Sequence, residues 1–169
     1  DPSIALGSTP VPPLSMANAY ATFASGGKYC KPIAIDQILD ASGTSMAVPS
    51  ADCTQAMDQG AADETAKTLR ATSEPGGTAK DAVFGRPIAG KTGTTDEAEN
   101  TWFVGFTPQL STAVWIGDAT ESGRSLVGRT IGGVYFPTIY GSDLAAPMWR
   151  DYMSQAVAND PALPIPSHG

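Results

Sequence analysis

Histidine is almost missing from this chain: the single residue, His168, stands next to the C-terminus. A Ser-His-Asp triad, an H-E-x-x-H zinc site and a His-rich metal cage all need imidazoles in the body of a fold, so the sequence argues against each, and no metal or cofactor is expected. Charge is scarce too, at 16% of residues, where about a quarter is usual. What there is leans acidic: 10 Lys and Arg against 17 Asp and Glu leave a net charge of −7. Such a surface repels a phosphate backbone, so nucleic acid is not expected as a partner. No apolar run reaches the ~18–20 residues that span a bilayer and no signal peptide is recognisable, so any membrane anchor is expected outside this chain. Cysteine is limited to Cys30 and Cys53, with no C-x-x-C pair. In an oxidising compartment the two could close a loop worth roughly 3 kcal/mol in the chain-entropy model; otherwise they are two buried free thiols. Composition does not choose between these.

What the chain does have is enough length and apolar content for one folded domain. Its 169 residues are 41% apolar, and a domain of this size buries about 70% of its unfolded surface. Gly and Pro number 18 and 14, together below the ~25–30% at which low-complexity disorder sets in. A helix is expected over Pro13–Ala24, with Pro at its first position, Gly26-Gly27 as its stop, and Leu14, Ala17, Ala21 and Ala24 on one face beside Tyr20 and Phe23, most of its surface buried. Tyr29–Leu39 reads as a strand turning at Asp40–Gly43 into a short second strand, with Pro32 confining it to an edge. A polar helix is expected from about Thr54 to Thr72, with Met57, Ala61 or Ala62, Thr65 and Leu69 facing inward, then a short turn over Thr78–Val83. Three strands follow, Arg86–Thr94, Thr101–Thr107 and Ser111–Gly117. Their connectors are too short for anything but antiparallel neighbours, and the apolar runs in the last two imply cover on both faces. Asp118–Tyr140 reads as a long loop without pattern. A closing helix is expected over Ser142–Ala158, with stripes Leu144-Met148-Tyr152 and Trp149-Met153-Val157. Residues 159–169 form a Pro-rich tail.

Three motifs carry candidate chemistry. Gly85, Gly90, Lys91 and Thr92 match G-x-x-x-x-G-K-[ST] by letter. A phosphate-binding loop needs a strand before the glycines and a helix after the Lys-Thr, and here a turn and another strand follow, so nucleotide binding is rejected. Ser25-Gly26-Gly27-Lys28 matches S-x-x-K, which works by setting a lysine amine beside a serine oxygen across one helical turn. Two central glycines forfeit that turn, leaving a helix C-cap and a solvated lysine. The third is Lys91-Thr92-Gly93 within AGKTGTT. At a strand end Lys91 and Gly93 share one face and Thr92 and Thr94 the other. Gly93 lets a ligand approach the backbone, the Thr94 N–H can face a developing oxyanion, and the threonine hydroxyls can take a carboxylate. Asp96-Glu97-Ala98-Glu99 reads as a solvated acidic hairpin loop or, alternatively, as part of a cleft beside Lys91. Trp102, Phe103, Phe106 and Trp115 read as core.

AGKTGTT, followed after a short acidic loop by TWFVGFTPQL and then AVWIGD, resembles the transpeptidase domain of class A penicillin-binding proteins. The upstream SIALGSTPVPPLSMANAYATFASGGKY and the closing AAPMWRDYM are similar to the same family, in the same order, across nearly the whole chain. The Cys30 and Cys53 spacing with YCKPIAIDQILD is most similar to actinobacterial members. The resemblance implies an α+β fold of the β-lactamase/transpeptidase type, a five-stranded antiparallel sheet with helices on both faces, of which this chain supplies three strands and the C-terminal helix. It implies a serine D,D-transpeptidase outside the cytoplasmic membrane, anchored by a segment not in this chain, that crosslinks peptidoglycan stem peptides and is acylated by β-lactams. By position, Lys91 steers protons and the substrate carboxylate, Thr92 and Thr94 hydrogen-bond that carboxylate, the Thr94 N–H is half of an oxyanion hole, and Gly93 and Thr95 complete the binding wall. A carboxypeptidase or β-lactamase, or a non-catalytic β-lactam sensor, is the alternative on the same fold.

One departure matters. The family's S-x-x-K nucleophile pair and its S-x-N are absent, and in the family both precede the LGS segment found here at Leu6–Ser8. Residues 1–158 are therefore expected to be the C-terminal half of the domain. Its partner would be an N-terminal half carrying both motifs and a strand that pairs with Ser111–Gly117.

Overall fold

Proline and glycine set the first element. The structure, a computed structural model, describes residues 7, 9–121 and 123–166; Leu6 and Ser8 of the LGS segment and His168 lie outside the described residues. Helix α1 runs Pro13–Ala24 with Pro at its start, where the fixed φ fits the first turn. Gly26 and Gly27, at φ 68° and 89°, end it. Its burial is less than expected: Thr22 is its one buried residue, and Leu14 is 65% exposed. Tyr20 and Phe23 are the residues that pack inward, against Phe106 and Ala89.

The single strand expected over Tyr29–Leu39 is divided. β1 (Lys28–Tyr29) pairs with β4 (Thr54–Gln55), and β2 (Ile38–Leu39) pairs with β3 (Ser45–Met46), both antiparallel. The expected turn is present. Asp40 Oδ1 accepts from the Ser42 and Thr44 amides at 2.8 and 2.9 Å, and Gly43 takes φ 83°. Cys30 and Cys53 are joined by a disulfide at the base of this excursion, beside the Lys31–Asp52 ion pair at 2.7 Å. This decides between the two states that composition left open. Cys30→Ser with Cys53→Ser is expected to lower stability by about 3 kcal/mol, read as the shift of a urea unfolding midpoint. A midpoint unchanged by the double substitution would show that the bridge constrains nothing.

Helix α2 is shorter than expected, Gln59–Ala71, because Thr54 and Gln55 are used in β4. Asp58 caps it by accepting from the Ala61 N–H at 3.1 Å. Its inner face is Ala62, Ala66 and Leu69. Thr65, expected inside, is half-buried like Leu69, its hydroxyl donating to the Ala61 carbonyl. The short turn expected next is a 3₁₀ turn over Lys80–Ala82.

β5 (Ala89–Thr94), β6 (Asn100–Phe106) and β7 (Ser111–Gly117) form the antiparallel sheet, in the order β5-β6-β7. Its two faces have separate cores. Phe103 points to one, where Ile88, Trp149, Met153 and Val157 are buried. Phe106 and Ala89 point to the other, against Ala66, Tyr20 and Phe23. Gly90 and Gly105 face each other across β5 and β6. A Cβ at either would lie 2.8 or 2.9 Å from the Phe103 ring, so both must be glycine for that ring to lie flat on the sheet.

The segment expected as patternless, Asp118–Tyr140, contains a hairpin. β8 (Arg129–Ile131) and β9 (Val134–Phe136) are joined by Gly132-Gly133, both at positive φ, the backbone that a two-residue hairpin turn needs. Helix α3 spans Ala145–Ala156, shorter than expected at both ends. Trp149, Met153 and Val157 are buried as expected; Met148 and Tyr152, of the other stripe, are each 55% exposed. The Pro-rich segment after α3 docks on the body through buried Ile165 and through the Gln109 Nε2 donation to the Pro161 carbonyl at 2.6 Å. Among the described residues no helix is long and apolar enough to cross a membrane.

Candidate active site

β5 is an edge strand, and its ladder decides which backbone groups are available. The Thr95 N–H donates to the Asn100 carbonyl at 3.0 Å, and the register sets Gly93 against Trp102 and Lys91 against Val104. Antiparallel pairs alternate between bonded and unbonded, so the N–H and C=O of Lys91 and Gly93 and the N–H of Thr95 are spent on β6, while the Thr95 carbonyl accepts from the Ala98 N–H at 3.1 Å. Those of Gly90, Thr92 and Thr94 point to the open edge. Two observations agree: the Thr72 hydroxyl donates to the Gly90 carbonyl at 2.6 Å, and Lys91 Nζ to the Thr92 carbonyl at 2.9 Å. The Thr94 N–H is thus directed outward along the edge.

Side chains alternate as the sequence implies. Lys91 and Gly93 share the face of Val104 and Trp102, and Thr92 and Thr94 share the other. On the lysine face lies a cleft of about 970 Å³, lined by Lys91, Thr92, Gly93, Thr95, Met16 and Tyr20 among others. No serine lines it among the described residues. Trp102 and Trp115, expected in the core, form part of its wall, half-buried with ring centroids 6.4 Å apart. α1 covers the opposite end of these strands, where Ser111 Oγ donates to the Ala17 carbonyl, and so leaves the tryptophan end open. Phe103 and Phe106 are core, as expected.

Both threonines of the other face have partners that the sequence does not announce. Thr92 Oγ1 donates to Thr78 Oγ1 at 3.2 Å, and Thr94 Oγ1 accepts from the Gly141 N–H at 3.1 Å. These contacts span 14 and 47 positions, and no local pattern signals them.

The acidic connection fulfils both alternatives in part. Asp96 and Glu97 are exposed, while Glu99 lines the cleft. Glu97 and Ala98 take φ 56° and 51°, an uncommon conformation for residues with a Cβ. It is held by the Ser125 hydroxyl on the Glu97 carbonyl at 2.6 Å and the Leu126 N–H on the Ala98 carbonyl at 3.0 Å. The segment after β7 therefore straps the connection and supplies the far wall of the cleft through Asp118, Thr120, Glu121 and Arg124. Asp118 is held below the usual carboxylate range, first by the Thr120 hydroxyl and amide, then by the Glu121 amide and Arg124. It thus closes a turn as a stable anion.

The two rejected motifs fall where their rejection requires. Gly90, Lys91 and Thr92 lie inside β5, followed only by a three-residue 3₁₀ turn, Asp96–Ala98, and then β6, so no α-helix N-terminus faces them. Ser25 caps α1, its hydroxyl donating to the Lys28 carbonyl at 2.8 Å. No group of His, Cys, Asp and Glu that could hold a metal ion occurs among the described residues.

An antiparallel sheet with helices on both faces and a Lys-Thr-Gly edge beside a cleft is the architecture of penicillin-binding transpeptidase domains. Residues 2–131, well over half of the chain, match the family model for the penicillin binding protein transpeptidase domain, and the chain belongs to that family. Among curated relatives, penicillin-binding protein 1A of Aquifex aeolicus is 36% identical over 152 residues, covering 89% of this chain and 19% of that protein. Penicillin-binding protein 1A of Neisseria meningitidis is 37% identical over 161 residues, with 92% and 19% covered. The chain therefore spans about a fifth of the length of these relatives. The PonA1 protein of Mycobacterium tuberculosis, solved in complex with penicillin V, superposes with a TM-score of 0.82 at 31% identity, over 100% of this chain and 44% of that one. Penicillin-binding protein 1A of Haemophilus influenzae gives 0.73 at 22% identity, over 98% and 30%.

Proposed function

We propose that this chain is the C-terminal half of a serine-type D-Ala-D-Ala transpeptidase domain working on the outer side of a bacterial cytoplasmic membrane, anchored by a segment outside this chain. The observation that carries the reading is the open Lys91-Thr92-Gly93-Thr94 edge bordering a cleft. The nucleophile belongs to the N-terminal half, which brings the S-x-x-K serine and lysine and the S-x-N to this edge. Among the described residues no strand pairs with the outer edge of half-buried β7, and a strand from that half pairs there, covering backbone groups that would otherwise invite aggregation.

In the proposed reaction the serine oxygen bonds to the carbonyl carbon of the penultimate D-Ala, and the terminal D-Ala leaves with a proton. The amine of a neighbouring stem peptide then attacks the ester, forming the crosslink and returning the serine hydroxyl. The outward Thr94 N–H donates to the oxyanion of each tetrahedral intermediate. The Lys91 ammonium steers protons and attracts the substrate carboxylate, to which the Thr94 hydroxyl donates and to which the Thr92 hydroxyl donates on turning away from Thr78 Oγ1, with Gly93 and Thr95 shaping the wall. A β-lactam enters the same site and leaves its acyl group on the serine. In support, PonA1 is solved with penicillin V, and penicillin-binding protein A of M. tuberculosis, 23% identical with a TM-score of 0.64 over 87% of this chain and 31% of that one, as an imipenem acyl-enzyme.

The test is incubation of the full-length protein with labelled penicillin, followed by peptide mapping. A long-lived adduct on a serine outside this chain, together with crosslinking of stem peptides, is the expected result. Rapid turnover of the label would indicate a β-lactamase-type hydrolase, and an adduct without crosslinking a sensor. Absence of any adduct would overturn the proposal.

A further inference from the structure

Gly141 is buried in the connection between β9 and α3, and its N–H reaches Thr94 Oγ1 at 3.1 Å. The connection is held on both sides of the contact. The Ala146 N–H donates to the Gly141 carbonyl at 2.9 Å, and the Tyr140 N–H donates to Asp143 Oδ2 at 2.8 Å. A side chain at 141 would run into the Trp102 carbonyl oxygen and would lie 2.9 and 3.2 Å from the Gly93 carbonyl oxygen and nitrogen. All three are backbone atoms of the sheet, which cannot swing aside. Glycine is therefore the residue that lets this connection lie on the Lys-Thr-Gly strand.

A threonine hydroxyl has one proton to give and lone pairs with which to accept. The Gly141 N–H occupies a lone pair of Thr94 Oγ1, which fixes the side-chain rotamer and keeps the proton for an outside acceptor. We propose that Gly141 is a positioning residue for substrate carboxylate recognition: through its N–H it holds the Thr94 hydroxyl as a donor at the open edge of β5. The proposal rests on the transpeptidase reading above. It adds that carboxylate selectivity depends on a backbone group of the α3 connection and not on the edge strand alone.

The experiment uses the full-length protein and compares the acylation rate constants for a penicillin and for its methyl ester. Wild-type protein favours the free acid. Gly141→Ala is expected to slow the free acid about tenfold, the worth of one hydrogen bond to a charged group, and to leave the ester rate nearly unmoved. It should add nothing to Thr94→Val, which has already lost the hydroxyl. Thr94→Ser is the companion variant should Gly141→Ala fold poorly. It keeps the hydroxyl, and with the Gly141 N–H to hold it, the acid-to-ester ratio stays within about threefold of wild type.

Equal slowing of acid and ester in Gly141→Ala, a full further loss on top of Thr94→Val, or collapse of the ratio in Thr94→Ser would each overturn the proposal. Failure of wild-type protein to be acylated at all would overturn the transpeptidase reading and this inference together. Normal acylation with an unchanged ratio in Gly141→Ala would overturn this inference alone.

Discussion

Lys91→Ala in the full-length protein is expected to lower the rate of penicillin acylation about a thousandfold while leaving the melting temperature almost unmoved. The two halves of that expectation come from the same geometry. Lys91 is exposed on the cleft face of β5, and its Nζ donates to the Thr92 carbonyl of its own strand. That contact is solvent-exposed and worth little to folding. The ammonium nevertheless stands beside the edge at which the proposed oxyanion and carboxylate are held, so its loss falls on the transition state. Lys91→Arg is expected to recover little. It keeps the charge, but its forked, permanently protonated head cannot pass a proton on and does not fit a point contact. The measurement is gel-resolved labelling by fluorescent penicillin over time, run beside a thermal melt of each variant. An alanine variant acylated within threefold of wild type would remove Lys91 from the chemistry.

How much of this could be read from the sequence depends on the distance over which each feature is decided. β5, β6 and β7 were legible because apolar, β-branched runs separated by short connectors allow only an antiparallel sheet, and the side-chain alternation at Lys91-Thr92-Gly93-Thr94 follows from the period of a strand. The start and stop of α1 were legible for the same local reason. Thr54 and Gln55 read as helix in sequence because their pairing with Lys28 and Tyr29 leaves no mark in local periodicity. The Gly132-Gly133 turn has a local signal, two glycines between the short β-branched and aromatic runs of TIGGVYF. In α3 both apolar stripes were found, but only the tertiary contacts of Trp149 and Met153 decide which one is buried. The site divides in the same way. Its edge strand carries a motif, whereas Thr78 and Gly141 meet it through turns distant in sequence and could be found only in three dimensions.

Trp149→Ala is expected to cost about 3–5 kcal/mol, the largest stability loss of any single substitution considered. Trp149 is fully buried, with ring centroids 5.0 Å from Phe103 and 5.9 Å from Phe84, both edge-on. Its Nε1 donates to the Thr112 carbonyl at 3.1 Å. Truncation removes the ring from between α3 and the sheet and takes from the Thr112 carbonyl the hydrogen bond that it accepts beyond its ladder pairing with Gly105, so a cavity cost and a polar cost add. Trp149→Phe keeps much of the ring volume but still loses the N–H, and should cost about 1–3 kcal/mol. Tyr152→Ala, one turn further along α3 but 55% exposed, should stay within about 0.5 kcal/mol of wild type. Urea unfolding of the three variants checks this order, and a Trp149→Ala loss below 1 kcal/mol would contradict the packing. The effect also reaches the site, because the first turn of α3 holds the Gly141 carbonyl through Ala146 and Gly141 holds Thr94. Loosening α3 should therefore slow acylation even in those Trp149→Ala molecules that remain folded, with Lys91 itself untouched.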